Sequence, residues 1–267
     1  MSTPEENKAV VLRHEKEVLE QGRVELIDSY YAPDGSTPMD TPAQWRERVL
    51  WHHRACPGFT ITVLDMMAED DRVMSHIHIN LTYSVPADPP PAFWPPLGRP
   101  VTWRNMNVYR VVGGKIVAQY SLTGWKDMLA EIGVIPLKQI SANQAAARKF
   151  VDGLNQRSPV LLAEVCTPEV AQQWTAALPG MYERMRDHHI EIVDLVTDGS
   201  AVAMQMATSG YHTGSLHDLP ATGKWWTNRV FTFFHFEGGK ISQVTALPDA
   251  ENLIKQLGGT IRPALQG

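Results

Sequence analysis

Three residues in the C-terminal half of the chain could together move protons: Asp249, His235 and His212. A carboxylate in an apolar pocket has a raised pKa, which suits it to removing a proton next to a carbonyl group near neutral pH. A neighbouring histidine can shuttle that proton or donate a hydrogen bond to the enolate oxygen. These three residues are therefore candidates for cofactor-independent acid–base chemistry such as an intramolecular aldol closure.

The same residues also have structural interpretations. Asp249 immediately precedes a helical stretch, a position in which aspartate often caps a helix. Gly238 and Gly239 form a predicted two-residue hairpin turn. That turn places Asp249 opposite Asn228, with its side chain facing away from His235. A bulge in the hairpin, or the break at Pro248, would be needed to bring both side chains to one face.

Candidate substrate contacts lie in the same hairpin. Trp226 and Phe233 would suit a flat, apolar substrate, and Asn228 is a further candidate contact. Only about half of the side chains along a strand face one side, so core packing is the alternative role for these aromatic residues. Trp94 lies in a proline-rich segment before a predicted strand, where it could close over the mouth of a pocket.

The chain contains one unit twice. The segment from Gly98 to Gly133 recurs at an offset of 125 residues without a gap, with eight identical pairs over 36 positions. Near the N-terminus of each copy, Asn7 aligns with Asn143 at an offset of 136 residues, so the second copy is shorter in its middle. An internal repeat of this length indicates one structural unit used in tandem.

Each copy predicts the same order of elements, with helical periodicity first and strand-like alternation afterwards. Paired glycines mark hairpin turns in both copies, and a glycine follows a last short helix. Three helices packed on a curved antiparallel sheet form an α+β fold. We predict two such domains, residues 1–137 and 138–267.

Four consecutive motifs stand out in the second copy. They are Gly210-Tyr-His-Thr-Gly214, Pro220-Ala-Thr-Gly-Lys224, His235-Phe-Glu-Gly-Gly-Lys-Ile241 and the segment from Asp249 to Gly258. Together they resemble the SnoaL-like polyketide cyclases of the cone-shaped nuclear-transport-factor-2-like superfamily, and the resemblance extends over both copies. It implies two tandem cone-shaped domains.

The resemblance also implies which copy is catalytic. In that family an aspartate nine residues before the last helix's glycine is the general acid/base, and a histidine fourteen residues before that aspartate lines the pocket. These positions hold Asp249 and His235 in the second copy, but Gly124 and Arg110 in the first. The second domain is therefore the implied catalytic one, with a polyketide-like carbonyl substrate. Cone domains commonly pair through their sheets, so the two copies are expected to form an intramolecular pseudo-dimer, and further self-association is possible.

Two other functions fit the same resemblance. An epoxide hydrolase, or an epoxide-opening cyclase of the same superfamily, would need a second carboxylate beside an activated water molecule. A non-catalytic small-molecule-binding protein would leave Asp249 bonded only to helix amides. Both alternatives remain open at the level of sequence.

The composition excludes several other classes. Lys and Arg total 24 against 29 Asp and Glu, a formal net charge of −5, whereas binding to nucleic acid or an anionic membrane needs a basic patch. No metal-ligand, phosphate-loop or dinucleotide motif is found, so neither a cofactor nor a metal is predicted. Two cysteines cannot form a disulfide framework, and no apolar run reaches membrane-spanning length. We predict a cytoplasmic protein whose partner is a small apolar or aromatic substrate.

Overall fold

The protein divides into two compact units, Met1–Gln139 and Ile140–Gly267. The computed structural model describes residues 2–32, 42–84, 98, 100–124, 128, 142–197, 200–216 and 219–260. Each unit places helices before a four-stranded antiparallel sheet, so the predicted tandem α+β fold is confirmed. Within the described ranges, no helix has the length and apolar character needed to cross a bilayer.

The helices of the first unit begin with a capping box. Thr3 Oγ1 accepts a hydrogen bond from the Glu6 amide, and the Glu6 carboxylate accepts one from the Thr3 amide. The helical elements are α1 (Pro4–Arg13), a π-helix (His14–Glu20), a 3-10 turn (Val24–Leu26), α2 (Ile27–Tyr30) and α3 (Pro42–Ala55). The π-helix continues α1 directly, so the two together act as one long helix along the sheet.

The sheet of the first unit is a simple meander. Its strands are β1 (Thr60–Glu69), β2 (Arg72–Thr82), β3 (Pro100–Val112) and β4 (Lys115–Thr123), hydrogen-bonded in that order. A two-residue turn at Gly113 and Gly114, both with positive φ, joins β3 to β4. Glycine is favoured there because a side chain strains the backbone at positive φ.

The second unit repeats this order. Its elements are α4 (Ala142–Asn155), α5 (Pro159–Val165), α6 (Pro168–Arg184), β5 (Met185–Thr197), β6 (Ala201–His212), β7 (Trp225–Glu237), β8 (Lys240–Pro248) and α7 (Ala250–Leu257). The strands again pair in chain order. Ser158 starts α5 by accepting a hydrogen bond from the Leu161 amide through its hydroxyl oxygen.

The first long helix of each unit buries equivalent positions. In the second unit these are ordinary core residues, Ala147, Phe150, Val151 and Leu154. At the offset of 136 residues, the first unit has Val11, His14, Glu15 and Val18, all of which are buried. The first unit thus places two ionisable side chains where its copy places apolar ones.

The π-helix coincides with a difference in length between the copies. Tyr31 and Cys166 are equivalent, because each forms a parallel bridge to the first residue after the lysine of β4 or β8. From Val18 to Tyr31 the chain advances 13 residues, whereas from Leu154 to Cys166 it advances 12. A π-helix holds more residues per turn than an α-helix, which accommodates the extra residue, and such turns occur often at functional sites.

The predicted register of the second hairpin is corrected by a bulge. The two-residue turn at Gly238 and Gly239 is present, but the pairing shifts by one residue between Phe236 and His235. As a result the Asp249 amide bonds to the carbonyl of Arg229, and the predicted pairing with Asn228 is wrong. The bulge adds one residue to β8 that the turn rule alone does not anticipate.

The core of the second unit depends on β7 residues that face the helices. Phe234 is fully buried, and its ring meets that of Phe150 edge-on at 5.4 Å between centroids. Phe150 meets Trp174 of α6 in the same way at 5.2 Å. These contacts join the sheet to two helices, so this aromatic cluster stabilises the packing of the whole unit.

We expect the substitution Phe234→Ala to destabilise the second unit by about 3–5 kcal/mol, because it removes a buried ring and leaves a cavity. The matched control is Trp225→Ala, in which the lost aromatic ring is 51% exposed and stacks mainly on Tyr211. That control should cost about 1 kcal/mol or less. Chemical denaturation measures both values, and equal losses would contradict this account of the core.

Candidate functional site

The first unit has a partly open cavity of about 250 Å³ between its helices and its sheet. Strands β3 and β4 supply most of its polar groups, and the rest of the lining is mainly apolar and aromatic. The lining residues are Leu19, Trp45, Arg48, Val49, His52, Phe59, Ile77, Ile79, Trp103, Asn105, Asn107, Tyr109, Gln119, Ser121 and Thr123. A largely apolar cleft with a few polar groups on one side is the usual form of a ligand site.

Strand alternation produces the polar side of this cavity. Every second residue of β3 and β4 faces the helices. The facing cross-strand pairs are Asn105 with Thr123, Asn107 with Ser121, and Tyr109 with Gln119. We call these six residues the polar floor.

Glu15, on the π-helix that packs against the sheet, lies on the same side as the polar floor and is fully buried. Its Oε1 accepts a hydrogen bond from Ser75 Oγ at 2.5 Å and another from the Tyr109 hydroxyl at 3.1 Å. Asn107 Nδ2 donates to Ser75 Oγ at 3.1 Å. Within the described part of the chain, Glu15 Oε2 has no hydrogen-bond partner. Tyr109 and Asn107 therefore connect this carboxyl group to the cavity.

Burial raises the pKa of Glu15 to about 7. Desolvation is the largest cause, since it penalises the carboxylate form, and the hydrogen bonds from Ser75, Tyr109 and Asn107 oppose it only in part. A carboxyl group that titrates near neutral pH can both accept and return a proton under physiological conditions.

Tyr109 remains a neutral phenol. Burial first, and then the Glu15 carboxylate beside it, raise its pKa well above the ordinary value. Its hydroxyl hydrogen is donated to Glu15, and the residue also lines the cavity. Tyr109 thus lies between the carboxyl group and any molecule bound in the cavity.

A second hydrogen-bonded chain reaches the floor from His14. The Tyr31 hydroxyl lies 3.1 Å from His14 Nε2 and donates to Gln119 Oε1 at 2.7 Å. Gln119 Nε2 then donates to Ser121 Oγ at 3.1 Å. Burial lowers the pKa of His14 to about 3, so its imidazole is neutral at physiological pH.

Three polar atoms around the cavity are buried and unpaired among the residues that the structure describes. They are Trp45 Nε1, Trp103 Nε1 and Asn105 Oδ1. His52, on the same wall, has its Nδ1 2.9 Å from the Arg48 carbonyl oxygen, and burial lowers its pKa. Buried polar groups normally have partners, so these atoms indicate hydrogen bonds made to a bound molecule or to water.

The second unit replaces most of these polar groups with apolar ones. The polar residues of the cavity are matched to the second unit by the offset of 125 residues, except that Ser75 is matched by strand register. The counterparts of Ser75, Asn105, Asn107, Tyr109, Gln119, Ser121 and Thr123 are, in the same order, Met204, Val230, Thr232, Phe234, Val244, Ala246 and Pro248. Glu15 itself corresponds to Val151. A buried carboxyl network is thus specific to the first copy.

Asp249 caps the helix α7, which is the structural role that the sequence suggested for it. Its Oδ1 accepts a hydrogen bond from the Asn252 amide at 3.2 Å, at the start of α7. Its Oδ2 pairs with Arg229 Nη2 at 3.1 Å, and its side chain is 17% exposed. A catalytic role for Asp249 stays a prediction.

The three predicted catalytic residues are not brought together. His235 lies six residues from Arg229 along β7, a separation of roughly 20 Å at about 3.3 Å per residue. His212 is farther still from His235, because its backbone bonds to Lys224 before the start of β7. Asp249 and His235 therefore do not converge: the bulge puts both on one face of the sheet, but their positions are about six residues apart along β7.

His212 is fully buried and part of a local turn. Its Nδ1 lies 3.0 Å from Thr222 Oγ1 and accepts from the Thr222 amide at 3.2 Å. Its Nε2 has no partner within the described residues. Burial lowers its pKa. This geometry fixes the loop after β6, and a proton-transfer role stays a prediction.

The predicted substrate contacts lie on different faces of β7. Trp226 and Asn228 are buried on one face, and their Nε1 and Oδ1 atoms are unpaired among the described residues. Phe233 is also buried but lies on the opposite face, which it shares with His235. Trp94 lies outside the described residues. Substrate binding by these residues stays a prediction.

Sequence reasoning missed the residues around Glu15, although one signal was present. His14 and Glu15 fall on the apolar stripe of the first helix, and a charged residue there usually snorkels or faces solvent. The alignment of Asn7 with Asn143 sets Glu15 against Val151, a core residue. That comparison alone would have identified Glu15 as an ionisable group in a core position.

Comparisons with known proteins agree on the fold family. The family model described as SnoaL-like polyketide cyclase matches residues 9–130 and 144–257. No curated protein matches the chain.

Several solved structures are similar to one half of the chain. TsrD from Streptomyces laurentii has 23% identity and a TM-score of 0.42, covering 45% of this chain and 96% of its own. A SnoaL-like polyketide cyclase from Agrobacterium tumefaciens has 21% identity and a TM-score of 0.41, covering 44% of this chain and 98% of its own. IdmH from Streptomyces antibioticus has 23% identity and a TM-score of 0.40, covering 48% of this chain and 98% of its own.

The raised pKa of Glu15 predicts how stability depends on pH. The folded state holds this proton up to about pH 7, whereas an unfolded glutamate releases it near its ordinary value of 4.5. Its contribution to stability is therefore complete below pH 4.5 and is lost as the pH rises to about 7, by about 3 kcal/mol in total. Chemical denaturation across this pH range measures the loss.

The variant Glu15→Gln isolates this effect. Burial lowers the pKa of His14 to about 3 and that of His188 to about 4. These two groups therefore make the folded state more stable as the pH rises, which opposes the effect of Glu15. Those groups are present in both proteins, so they cancel in the difference. The free energy of unfolding of the wild type should fall relative to that of the variant between pH 4.5 and 7, and parallel curves would contradict the prediction.

Proposed function

Because the chain belongs to the SnoaL-like polyketide cyclase family, we propose that it is a cofactor-independent cyclase or isomerase whose active site is the cavity of the first domain. The observation that carries this proposal is the Glu15 carboxyl group, which is fully buried, bonds to Tyr109 of the polar floor and has a pKa of about 7. The proposed substrate is a polyketide-like carbonyl compound, and the proposed reaction is an intramolecular aldol ring closure.

Tyr109 is the proposed catalytic residue, and Glu15 acts through it. The Tyr109 oxygen takes a proton from the carbon next to a substrate carbonyl while its own hydroxyl proton passes to Glu15 Oε1, 3.1 Å away. The C–H bond breaks, an enolate forms, and no free tyrosinate is needed. This coupled transfer fits a phenol whose own pKa is raised.

The ring closes in the second half of the reaction. The enolate carbon attacks another carbonyl group of the same substrate, forming the C–C bond and an alkoxide. The alkoxide takes a proton from Tyr109 as Glu15 returns its proton to the phenol oxygen, so the protein ends in its starting state. The apolar wall supports this sequence because it excludes water and folds the flexible substrate against the floor.

Binding without catalysis is the second candidate function, and it applies to the second domain. The counterparts of the polar floor there are largely apolar, and Asp249 is engaged with Arg229 and a helix amide. Trp226 and Asn228 still offer unpaired polar atoms among the described residues. The second domain would then bind a small apolar molecule while the first performs the chemistry.

Epoxide opening receives less support. That reaction needs two carboxylates around an activated water, and among the described residues that line the cavity none is Asp or Glu. Glu15 is the carboxyl group that the hydrogen bonds connect to the floor. A single proton-relaying carboxyl group fits enolisation better than hydrolysis of an epoxide.

We expect Tyr109→Phe and Glu15→Gln each to lower kcat for ring closure of a linear diketone thioester by about 100-fold or more, because each variant interrupts the proton relay. Product formation is measured by the appearance of the cyclic β-hydroxy ketone. The comparison variant is Asp249→Asn, which should retain activity within about threefold. A large loss of kcat in Asp249→Asn, with kcat unchanged in Tyr109→Phe, would indicate that the reaction takes place in the second domain.

The pH profile separates a proton-relay role for Glu15 from a merely structural one. The carboxylate form accepts the proton, so kcat/KM of the wild type should rise with pH through about 7 and then level off. Glu15→Asp should keep a rising limb at a lower rate, whereas Glu15→Gln should lose the limb. A rising limb that persists unchanged in Glu15→Gln would refute the relay.

A further inference from the structure

The hydrogen-bonded chain from His14 to Ser121 has a defined direction. Gln119 turns its amide oxygen toward Tyr31 and its amide nitrogen toward Ser121. An amide oxygen only accepts, so the Tyr31 hydroxyl hydrogen must go to Gln119. The Tyr31 oxygen then accepts from His14 Nε2, which must carry the imidazole hydrogen.

The surroundings of His14 agree with this direction. Its Nδ1 is buried and has no hydrogen-bond partner within the described residues. If Nδ1 carried the hydrogen, a buried N–H donor would be left unpaired, which is rarer and more costly than an unpaired acceptor. The hydrogen on Nε2 leaves only a lone pair unsatisfied.

This direction determines what Ser121 presents to the cavity. Ser121 Oγ already accepts from Gln119 Nε2, so its own hydrogen remains free to be donated. Ser121 lines the cavity and is only half-buried. It therefore offers a hydrogen-bond donor to a bound molecule, whereas in the reverse direction its hydrogen would be donated to Gln119 and only its lone pairs would remain.

Asn105 offers the opposite group on the same floor. Its Oδ1 is buried, lines the cavity, and is unpaired in the described part of the structure. Asn105 lies diagonally across the β3–β4 pair from Ser121, since their direct partners are Thr123 and Asn107. Diagonal neighbours have side chains roughly 7–8 Å apart, so one ligand atom cannot satisfy both groups.

The volume limits the size of the ligand. Pockets for drug-sized molecules span about 300–1,000 Å³, and the cavity of about 250 Å³ falls below that range. The interior therefore favours a compound of the size of one or two rings over a larger one.

We propose that the first cavity selects a substrate that, when folded, is no larger than one or two rings and that carries a carbonyl oxygen and, at the opposite end, a hydroxyl group. The carbonyl oxygen accepts a hydrogen bond from Ser121, and the hydroxyl donates one to Asn105. His14 is a positioning residue, because it sets the direction of the chain that makes Ser121 a donor. This specificity rests on the proposed function only in taking the cavity as the ligand site.

Binding of four small probes tests the donor and acceptor assignment without any turnover. The probes are para-hydroxyacetophenone, acetophenone, para-ethylphenol and ethylbenzene, and calorimetry measures their affinities. Ser121→Ala should weaken the binding of the two ketones by about five- to tenfold, the range for one lost hydrogen bond, and leave the affinity for para-ethylphenol unchanged. Asn105→Leu should weaken the two phenols and leave acetophenone unchanged.

The control variant is Thr102→Val, on the outer face of the same strand, where Thr102 bonds to Asn80. It should leave all four affinities unchanged. If Ser121→Ala weakens the phenols rather than the ketones, or affects all four probes equally, the assignment is overturned. The variant Glu15→Gln should still bind the probes, so a failure of the catalytic proposal would be visible separately as retained turnover in that variant.

A second measurement tests the direction of the chain directly. Nitrogen chemical shifts in a long-range proton–nitrogen NMR spectrum distinguish the two neutral tautomers of histidine. His14, assigned through its loss in His14→Gln, should be the Nε2–H tautomer throughout the neutral pH range. Observation of the Nδ1–H tautomer would reverse the chain and overturn the donor role of Ser121.

Discussion

A carboxyl group that is removed from water must find replacement hydrogen bonds, and Glu15 imposes that requirement on the first domain. Ser75 and Tyr109 satisfy it directly, and Asn107 supports Ser75. Ser75 and Tyr109 occupy positions on the inner face of the sheet that the apolar Met204 and Phe234 hold in the second copy, whereas Asn107 corresponds to the smaller polar Thr232. The polar floor thus follows from one buried acid, since a partly satisfied network would cost more than an apolar core.

The two copies show how one backbone supports different interiors. Strand order, hairpin turns and the bulge at the same place in both β-hairpins are shared, with register shifts after Arg110 and His235. What differs is the chemistry of side chains at matched positions, Tyr109 against Phe234 and Glu15 against Val151. Fold and function are therefore separable here, because the backbone geometry is maintained whether the interior is polar or apolar.

The fold could be predicted from the sequence because its signals are local. Glycine pairs, alternation and the internal offset each specify an element or a copy by themselves. The site could not be predicted in the same way, because Glu15 and Tyr109 are separated by 94 residues and meet only after the helix packs on the sheet. The focus on Asp249 came from a family resemblance, and a single bulge, which no residue type announces, changed the partner of that residue.

The apolar counterparts in the second copy have a consequence for how the first copy can change over time. Replacing its polar network as a set by the residues of its own duplicate would exchange a costly buried acid for ordinary core packing, and natural cores gain stability from such exchanges. Such an exchange would keep the fold and remove the cavity chemistry, because the second copy holds Val151 and Phe234 in the places of Glu15 and Tyr109 on the same backbone.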